Sequence, residues 1–276
     1  MLLLLLKVLT NIDSFTGNQA EEMKKIASAF LASPLIVGIK SKKEFLEEDV
    51  VYERYGIPTI APETLKNMVV DEVYPEVFAD RGGYFVRIDA DLIKEIRKRE
   101  DLSLRELANI AHVSRETIYK YEHEMVRACL ETAILIESIL NTKITLSVDL
   151  FKVPDIETGK MTRDAYPELT ELGFGVIPTN KAPFDALAKD DFRSSKREDA
   201  LITNMERNRD NRTLRKMAIT VKDLSDITET HAVFIFKKKE CPKCIEGIPA
   251  VHKNEIEEMK NSGEFLNVVK ERREYN

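Results

Sequence analysis

The sequence predicts two α/β domains flanking a central all-α segment, on three observations. At both ends of the chain, apolar runs of strand length alternate with amphipathic helical stretches. Between Asp89 and Asn141 that rhythm gives way to several short helices. The two ends also read as copies of one another. The expected domains are 1–70, an N-terminal α/β domain; 71–150, a β-hairpin followed by the helical segment; and 151–276, a C-terminal α/β domain repeating the first.

Composition bounds what such a chain can be. It has 276 residues, 43% apolar and 33% charged, enough for substantial cores and too apolar for a disordered chain. The net charge of −6 rules out bulk charge as the source of any nucleic-acid affinity, so a local surface must supply it. Three cysteines exclude a disulfide scaffold and suit a reducing cytoplasm. No apolar run reaches the length of a spanning helix, and Met1–Leu6 is too short for a signal peptide core. The reading is a soluble cytoplasmic protein with no membrane partner.

The elements follow in order. Leu2 to Leu9 is a nearly continuous apolar run, as in a strand covered on both faces. A core strand at the very first residue implies further residues upstream in the natural chain. Asn18 to Phe30 carries Ala20, Met23, Ile26, Ala27 and Phe30 at helical spacing. Leu35–Ile39, Val50–Tyr52 and Ile57–Ile60 are strands, and Pro62 opens a helix. Val77–Ala79 and Tyr84–Ile88 form a hairpin about Gly82-Gly83. Asp149 to Thr162 is a linker. Beyond it come a helix ending at Gly173, strands at Phe174–Pro178, Phe184–Ala188 and Ala200–Thr203, and a helix over Thr213–Ile227. Strands at Ala232–Phe236 and Ile248–Val251 and a helical C-terminus broken at Gly263 complete the chain.

The repeat rests on short matches in one order. Met23-Lys24-Lys25-Ile26-Ala27 parallels Leu214-Arg215-Lys216-Met217-Ala218, and Gly56-Ile57-Pro58 parallels Gly247-Ile248-Pro249, both at an offset of 191. Leu9-Thr10-Asn11 parallels Ile202-Thr203-Asn204 at 193, and Leu35-Ile36-Val37 can be set against Val233-Phe234-Ile235.

The middle segment carries the chemistry. Leu92, Ile93 and Ile96 stripe a first helix. Ser103-Leu104-Arg105-Glu106 is a capping box opening a second, with Leu107, Ala108 and Ala111 inward. After His112-Val113, Ser114 caps a third helix whose inner residues are Ile118 and Tyr121, and Leu130–Leu140 is a fourth. Two short helices joined by a turn, with small Ala108 allowing close approach, make a helix-turn-helix. Ser114, Arg115, Glu116 and Thr117 then lead the third helix toward a major groove. Arg115 suits guanine, Ser114 and Thr117 suit bases or phosphates, and Arg105 and Lys120 suit the backbone. Double-stranded DNA is the expected partner. Because one such helix reads only a short half-site, a homodimer is expected.

Leu102-Ser103-Leu104-Arg105-Glu106-Leu107-Ala108 and Val113-Ser114-Arg115-Glu116-Thr117-Ile118-Tyr119-Lys120-Tyr121-Glu122 together resemble the lambda-repressor-like (XRE/Cro type) helix-turn-helix. The family usually has glutamine at Arg105 and a small polar residue at Tyr119, so the base contact ordinarily assigned at Arg105 does not transfer. More widely, Val51-Tyr52-Glu53-Arg54-Tyr55-Gly56-Ile57-Pro58, Arg81-Gly82-Gly83-Tyr84 and Pro183-Phe184-Asp185-Ala186-Leu187-Ala188 resemble an archaeal family of HTH-type transcriptional regulatory proteins. The resemblance implies a sequence-specific DNA-binding regulator, not an enzyme, its flanking domains serving dimerisation or sensing.

Other readings stand beside it. From Asp91 to Glu124 seven basic residues face eight acidic ones, poor for phosphate neutralisation and compatible with an adaptor that contacts only protein. Arg81 and Arg87 are either phosphate contacts or solvated strand residues, and Lys237-Lys238-Lys239 offers the same choice. Cys241-Pro242-Lys243-Cys244 has zinc-ligand spacing, to be completed by His231 and His252 or by a second subunit; a redox pair or a plain reduced turn are the alternatives. Pro183-Phe184-Asp185 with the strand around Leu201 resembles the restriction-endonuclease-like fold, which implies magnesium held by an aspartate and a Glu-x-Lys. Ala200-Leu201-Ile202-Thr203 offers no such acid and lysine, and in the first domain Lys7 stands alone.

Overall fold

The fold was examined in a computed structural model that describes residues 3–155, 166–179, 182–190, 200–206, 209–237 and 241–274. Packing gathers the chain into two compact units. One comprises Leu6–Ala20 and Pro34–Phe151, the other Met1–Leu5, Glu21–Ser33 and Lys152–Asn276. Among the described residues no helix is long and apolar enough to cross a membrane.

The chain opens with β1 (Leu4–Asn11), a short 3-10 turn at Ile12–Ser14, and α1 (Gly17–Ala29). Then come β2 (Ser33–Ser41), β3 (Glu44–Phe45), β4 (Val50–Arg54), β5 (Ile57–Ile60) and α2 (Pro62–Lys66), the last with proline at its start and a π turn after it at Asn67–Asp71. The hairpin β6 (Val77–Asp80) and β7 (Gly83–Ile88) follows, turning on Gly82 at φ 98° and Gly83 at φ 140°, which only glycine adopts freely. These strands join one mixed sheet in the order β1-β2-β5-β4-β6-β7, with β3 on β2. Gly38 is required in β2, because a Cβ there would lie 2.2 Å from the Ile12 side chain.

The opening apolar run departs from expectation. It is not covered on both faces: β1 lies at the sheet edge, with Leu6 44% and Val8 73% exposed. Its single strand neighbour among the described residues is β2, so alternate side chains meet solvent.

Next come α3 (Ala90–Arg99), α4 (Leu104–Ile110), α5 (Arg115–Tyr121), β8 (Ala128–Cys129), α6 (Leu130–Leu140) and β9 (Thr145–Leu146). β8 and β9 both pair with β7. Consequently Ile93, Ile96, Leu107, Ala108, Ile118, Tyr121, Ala133 and Ile136 of the helices share one core with Val86 and Ile88 of β7 and Ala128 of β8. A sheet edge thus braces the helices from beneath. The segment that follows lacks regular structure as far as Asp155; the rest of the expected linker lies outside the described residues, as do Lys238 and Lys239.

The other unit contains α7 (Pro167–Glu171), β10 (Gly175–Pro178), β11 (Ala186–Lys189), β12 (Ala200–Met205), α8 (Asn211–Thr228) and β13 (His231–Phe236). It continues through β14 (Cys244–Ile245), β15 (Ile248–His252), α9 (Lys253–Glu257) and α10 (Ser262–Glu274). The sheet order is β10-β11-β12-β13-β15-β14. Alternate strand residues supply two separate cores. Ile202, Phe234 and Ala250 face Leu214, Ala218 and Val221 of α8, while Leu201, Val233 and Val251 face Leu169, Ile256, Phe265 and Val269 of the other helices. Coverage on both faces is why these strands read as unbroken apolar runs. Gly263 does not break the terminal helix. It sits in the first turn of α10, and the break falls before it.

Candidate nucleic-acid interface

Each helix of the central motif begins where a side chain satisfies its free N–H groups. Asp89 accepts from the Leu92 N–H to start α3. At α4 the Ser103 hydroxyl accepts from the Glu106 N–H while Glu106 accepts from the Ser103 N–H, a complete capping box. Ser114 caps α5 by accepting from the Thr117 N–H at 3.0 Å. Between α4 and α5 the chain reverses at His112, whose φ is 55°, and the Val113 N–H reaches back to the Ala108 carbonyl at 2.9 Å. Ala108 is buried at this crossing, where a larger side chain would push the helices apart.

The structure places Arg105 on the first turn of α4 and the other expected contact residues at Ser114 and along α5. Arg105, Ser114, Arg115 and Glu116 are exposed, and Thr117 and Lys120 are half-buried. Four of them are already engaged with one another. The Ser114 and Thr117 hydroxyls lie 2.9 Å apart, so one O–H serves the pair and the other stays available to an outside acceptor. Lys120 pairs with Glu116 at 2.7 Å, one turn away, and holds that carboxyl below the ordinary glutamate range. Solvent screens such an exposed pair, so a phosphate can claim the ammonium at little cost.

The charge inventory of the motif changes once partners are known. Arg97 is no surface cation: it clasps Glu122 through Nε at 2.5 Å and Nη2 at 3.0 Å, and its Nη1 donates to the Leu102 carbonyl. With Arg97 and Glu122 cancelling in the interior, the exposed face keeps Arg105, Arg115 and Lys120. On the hairpin, Arg81 stands at the turn and Arg87 on β7, both exposed. One surface feature went unread in the sequence: Tyr119, noted there only as a departure from pattern, stacks on His123 with ring centroids 4.0 Å apart. The four-residue spacing from Tyr119 on α5 to His123, just past its end, was the available signal.

Comparison with known proteins places this geometry in context. Residues 93–146 match a family described as helix-turn-helix, and residues 1–75 match a PD-(D/E)XK superfamily domain. The chain is 52% identical over 273 residues to a protein of Methanothermobacter thermautotrophicus named "putative HTH-type transcriptional regulatory protein", covering 99% of this chain and 86% of that one. A protein of the same name from Methanobrevibacter smithii is 49% identical over 277 residues, covering 99% and 87%; one from Methanocaldococcus jannaschii is 35% identical over 275, covering 97% and 85%. The chain belongs to this archaeal family of HTH-type transcriptional regulatory proteins. The nuclease-like match falls on the first α/β segment, whereas the sequence reading placed that likeness chiefly at Pro183–Leu201.

A PD-(D/E)XK domain implies a divalent metal, and the donor atoms of the matched segment do not fit one. The Asp13 carboxylate accepts from the Lys42 N–H, the Ser41 hydroxyl and the Arg54 guanidinium, and the first of these does most to hold its carboxyl below the usual range. Among the described residues no group of three or more His, Cys, Asp or Glu side chains gathers to hold an ion. That finding extends to Cys241, just before β14, and to Cys244, its first residue. Burial, with Glu255 nearby, pushes the Cys241 thiol up to about 11. His252 spends its Nδ1 on the Asn254 N–H at the start of α9. Among the described residues the pair gathers no third ligand. Lys237 pairs with the buried Glu168 at 3.3 Å, beside Lys253 at 3.2 Å.

Proposed function

We propose that this chain is a sequence-specific DNA-binding transcriptional regulator of the cytoplasm. Its α3–α6 segment acts as a lambda-repressor-like reading head, and a homodimer engages duplex DNA with the front of α5 in the major groove. The single observation carrying this is the exposure of Arg115 at the first residue of a helix whose inner face, Ile118 and Tyr121, is locked into the core. A guanidinium so placed can bond guanine O6 and N7 in bidentate fashion, a contact worth about 1–3 kcal/mol of discrimination. The free O–H of the Ser114–Thr117 pair then serves a phosphate or base edge, and Arg105 and Lys120 the backbone. The flanking α/β domains serve pairing or sensing.

Selection of bound duplexes from a random pool tests this reading. A single enriched motif is expected, and an unenriched pool contradicts it in favour of a protein-contacting adaptor. The PD-(D/E)XK match favours a second reading, a variant DNA-processing protein. Magnesium-dependent cleavage of duplex or branched DNA by the whole chain would establish it.

A further inference from the structure

Residues 200–257 retrace the first α/β segment strand by strand. β12 and β1 both reach a Thr-Asn pair, Thr203-Asn204 and Thr10-Asn11, before a long helix. β13 runs parallel to β15 with Phe234 opposite Ala250 and Ile235 opposite Val251. β2 runs parallel to β5 with Ile36 opposite Thr59 and Val37 opposite Ile60, the same register once the sequence repeat is laid over it. β14 returns antiparallel to β15 with Ile245 opposite Ile248, as β4 does to β5 with Arg54 opposite Ile57. Even the turns agree: Glu246-Gly247 at φ 48° and 81°, Tyr55-Gly56 at φ 52° and 75°. Matching registers and turn conformations, at positions the sequence offsets select independently, do not arise from shared apolar strands alone. In the second copy β12 also has an antiparallel neighbour, β11, which begins beside Asp185.

We infer that the C-terminal unit is a second PD-(D/E)XK-type domain, and that in it the Arg209 guanidinium stands where a divalent cation would. Asp185 is 7% exposed. Its Oδ1 accepts from Arg209 Nη2 and its Oδ2 from Arg209 Nη1, both at 2.7 Å, and Oδ2 also accepts from the Met205 N–H at 2.9 Å. Arg209 is fixed in turn by donating to the Met205 carbonyl. Asn204 lies fully buried on the adjoining strand, its Oδ1 accepting from the Asp185 N–H at 3.0 Å, and it adds no carboxylate. A planar cation supplied by the chain thus neutralises the aspartate in fork-to-fork geometry and covers the oxygens that a metal needs. Beside this pair opens a cleft of about 470 Å³ lined by Thr179, Pro183, Asp185, Arg209, Lys216 and Thr220. It is a cleft of the nuclease kind without a metal centre.

Manganese titration of the full chain, followed by electron paramagnetic resonance and by thermal melting, tests this. The wild-type protein is expected to show no manganese binding that Asp185→Asn removes. Arg209→Ser combined with Asn204→Asp, by uncovering the carboxylate and adding a second beside it, should create such a site and melt higher with excess manganese than without. Wild-type binding abolished by Asp185→Asn would overturn the proposal, as would a folded double variant that binds no manganese. If the double variant fails to fold, the comparison of wild type with Asp185→Asn decides alone. DNA selection by the helix-turn-helix is independent of every one of these outcomes.

Discussion

Arg97 and Glu122 show what a single pair contributes and why sequence hides it. Their side chains are 11% and 2% exposed, and the guanidinium joins the end of α3, the loop at Leu102 and the residue after α5. Removing one partner leaves a charge stranded in the interior, at a cost of about 3–5 kcal/mol. Arg97→Ala should therefore lower the unfolding free energy by that amount in urea denaturation followed by circular dichroism. Loss of less than about 1 kcal/mol would show the pair to be solvated. Glu116→Gln, at an exposed and solvent-screened pair, should leave the urea unfolding midpoint essentially unchanged. In the sequence Arg97 is only one of the seven basic residues between Asp91 and Glu124, and Arg209 stands in no motif. Glu122 lies 25 residues from Arg97 and Asp185 lies 24 from Arg209, and no local pattern links residues so far apart. The position of Ser114, Arg115 and Thr117 at the head of α5 was legible because the cap, turn and inner face of that helix all lie within a dozen residues.

The two capped helices of the motif separate stability from recognition. Ser103→Ala and Ser114→Ala each remove a cap, costing about 1 kcal/mol. In the proposed DNA complex Ser114, unlike Ser103, also offers its hydroxyl to the duplex, so Ser114→Ala should weaken specific DNA binding while Ser103→Ala leaves affinity for folded protein unchanged. Equal binding losses for the two would make the Ser114 effect purely structural. Glu137 of α6 gives this unit a pH dependence. Burial opposes its charge, but the N–H groups of Ile144 and Thr145 and the Thr145 hydroxyl hold its carboxyl below the ordinary value of 4.5. A group depressed on folding stabilises above its unfolded value and loses that contribution as pH falls through the folded one. Acid melts should show stability declining below about pH 4.5, and Glu137→Ala should flatten that decline. Strands and helices with local signals were legible, among them the Gly82-Gly83 hairpin and the Ser103 box. The two-residue strands β3, β8, β9 and β14 were not, since each exists only through its pairing with another strand.

At the scale of the molecule, the repeat was visible in near-constant sequence offsets, and the matching registers give it structural content. The division of the chain was less legible. α1 and β1 are each shared between the two compact units. Phe30, after α1, sets its ring edge-on to Phe184, 6.2 Å away in space and over 150 positions along the chain. The proposed homodimer carries its own expectation: protected half-sites in footprinting should lie about one helical turn, roughly 10 base pairs, apart and in inverted order. The central claim is that the leading side chains of α5 read bases. It is tested most directly by measuring wild-type and Arg115→Ala affinity, at one salt concentration, for the selected duplex and for a scrambled one. The account predicts a roughly 5- to 150-fold loss on the selected site with little change on the scrambled duplex. Equal affinity of both proteins for the selected site would contradict it.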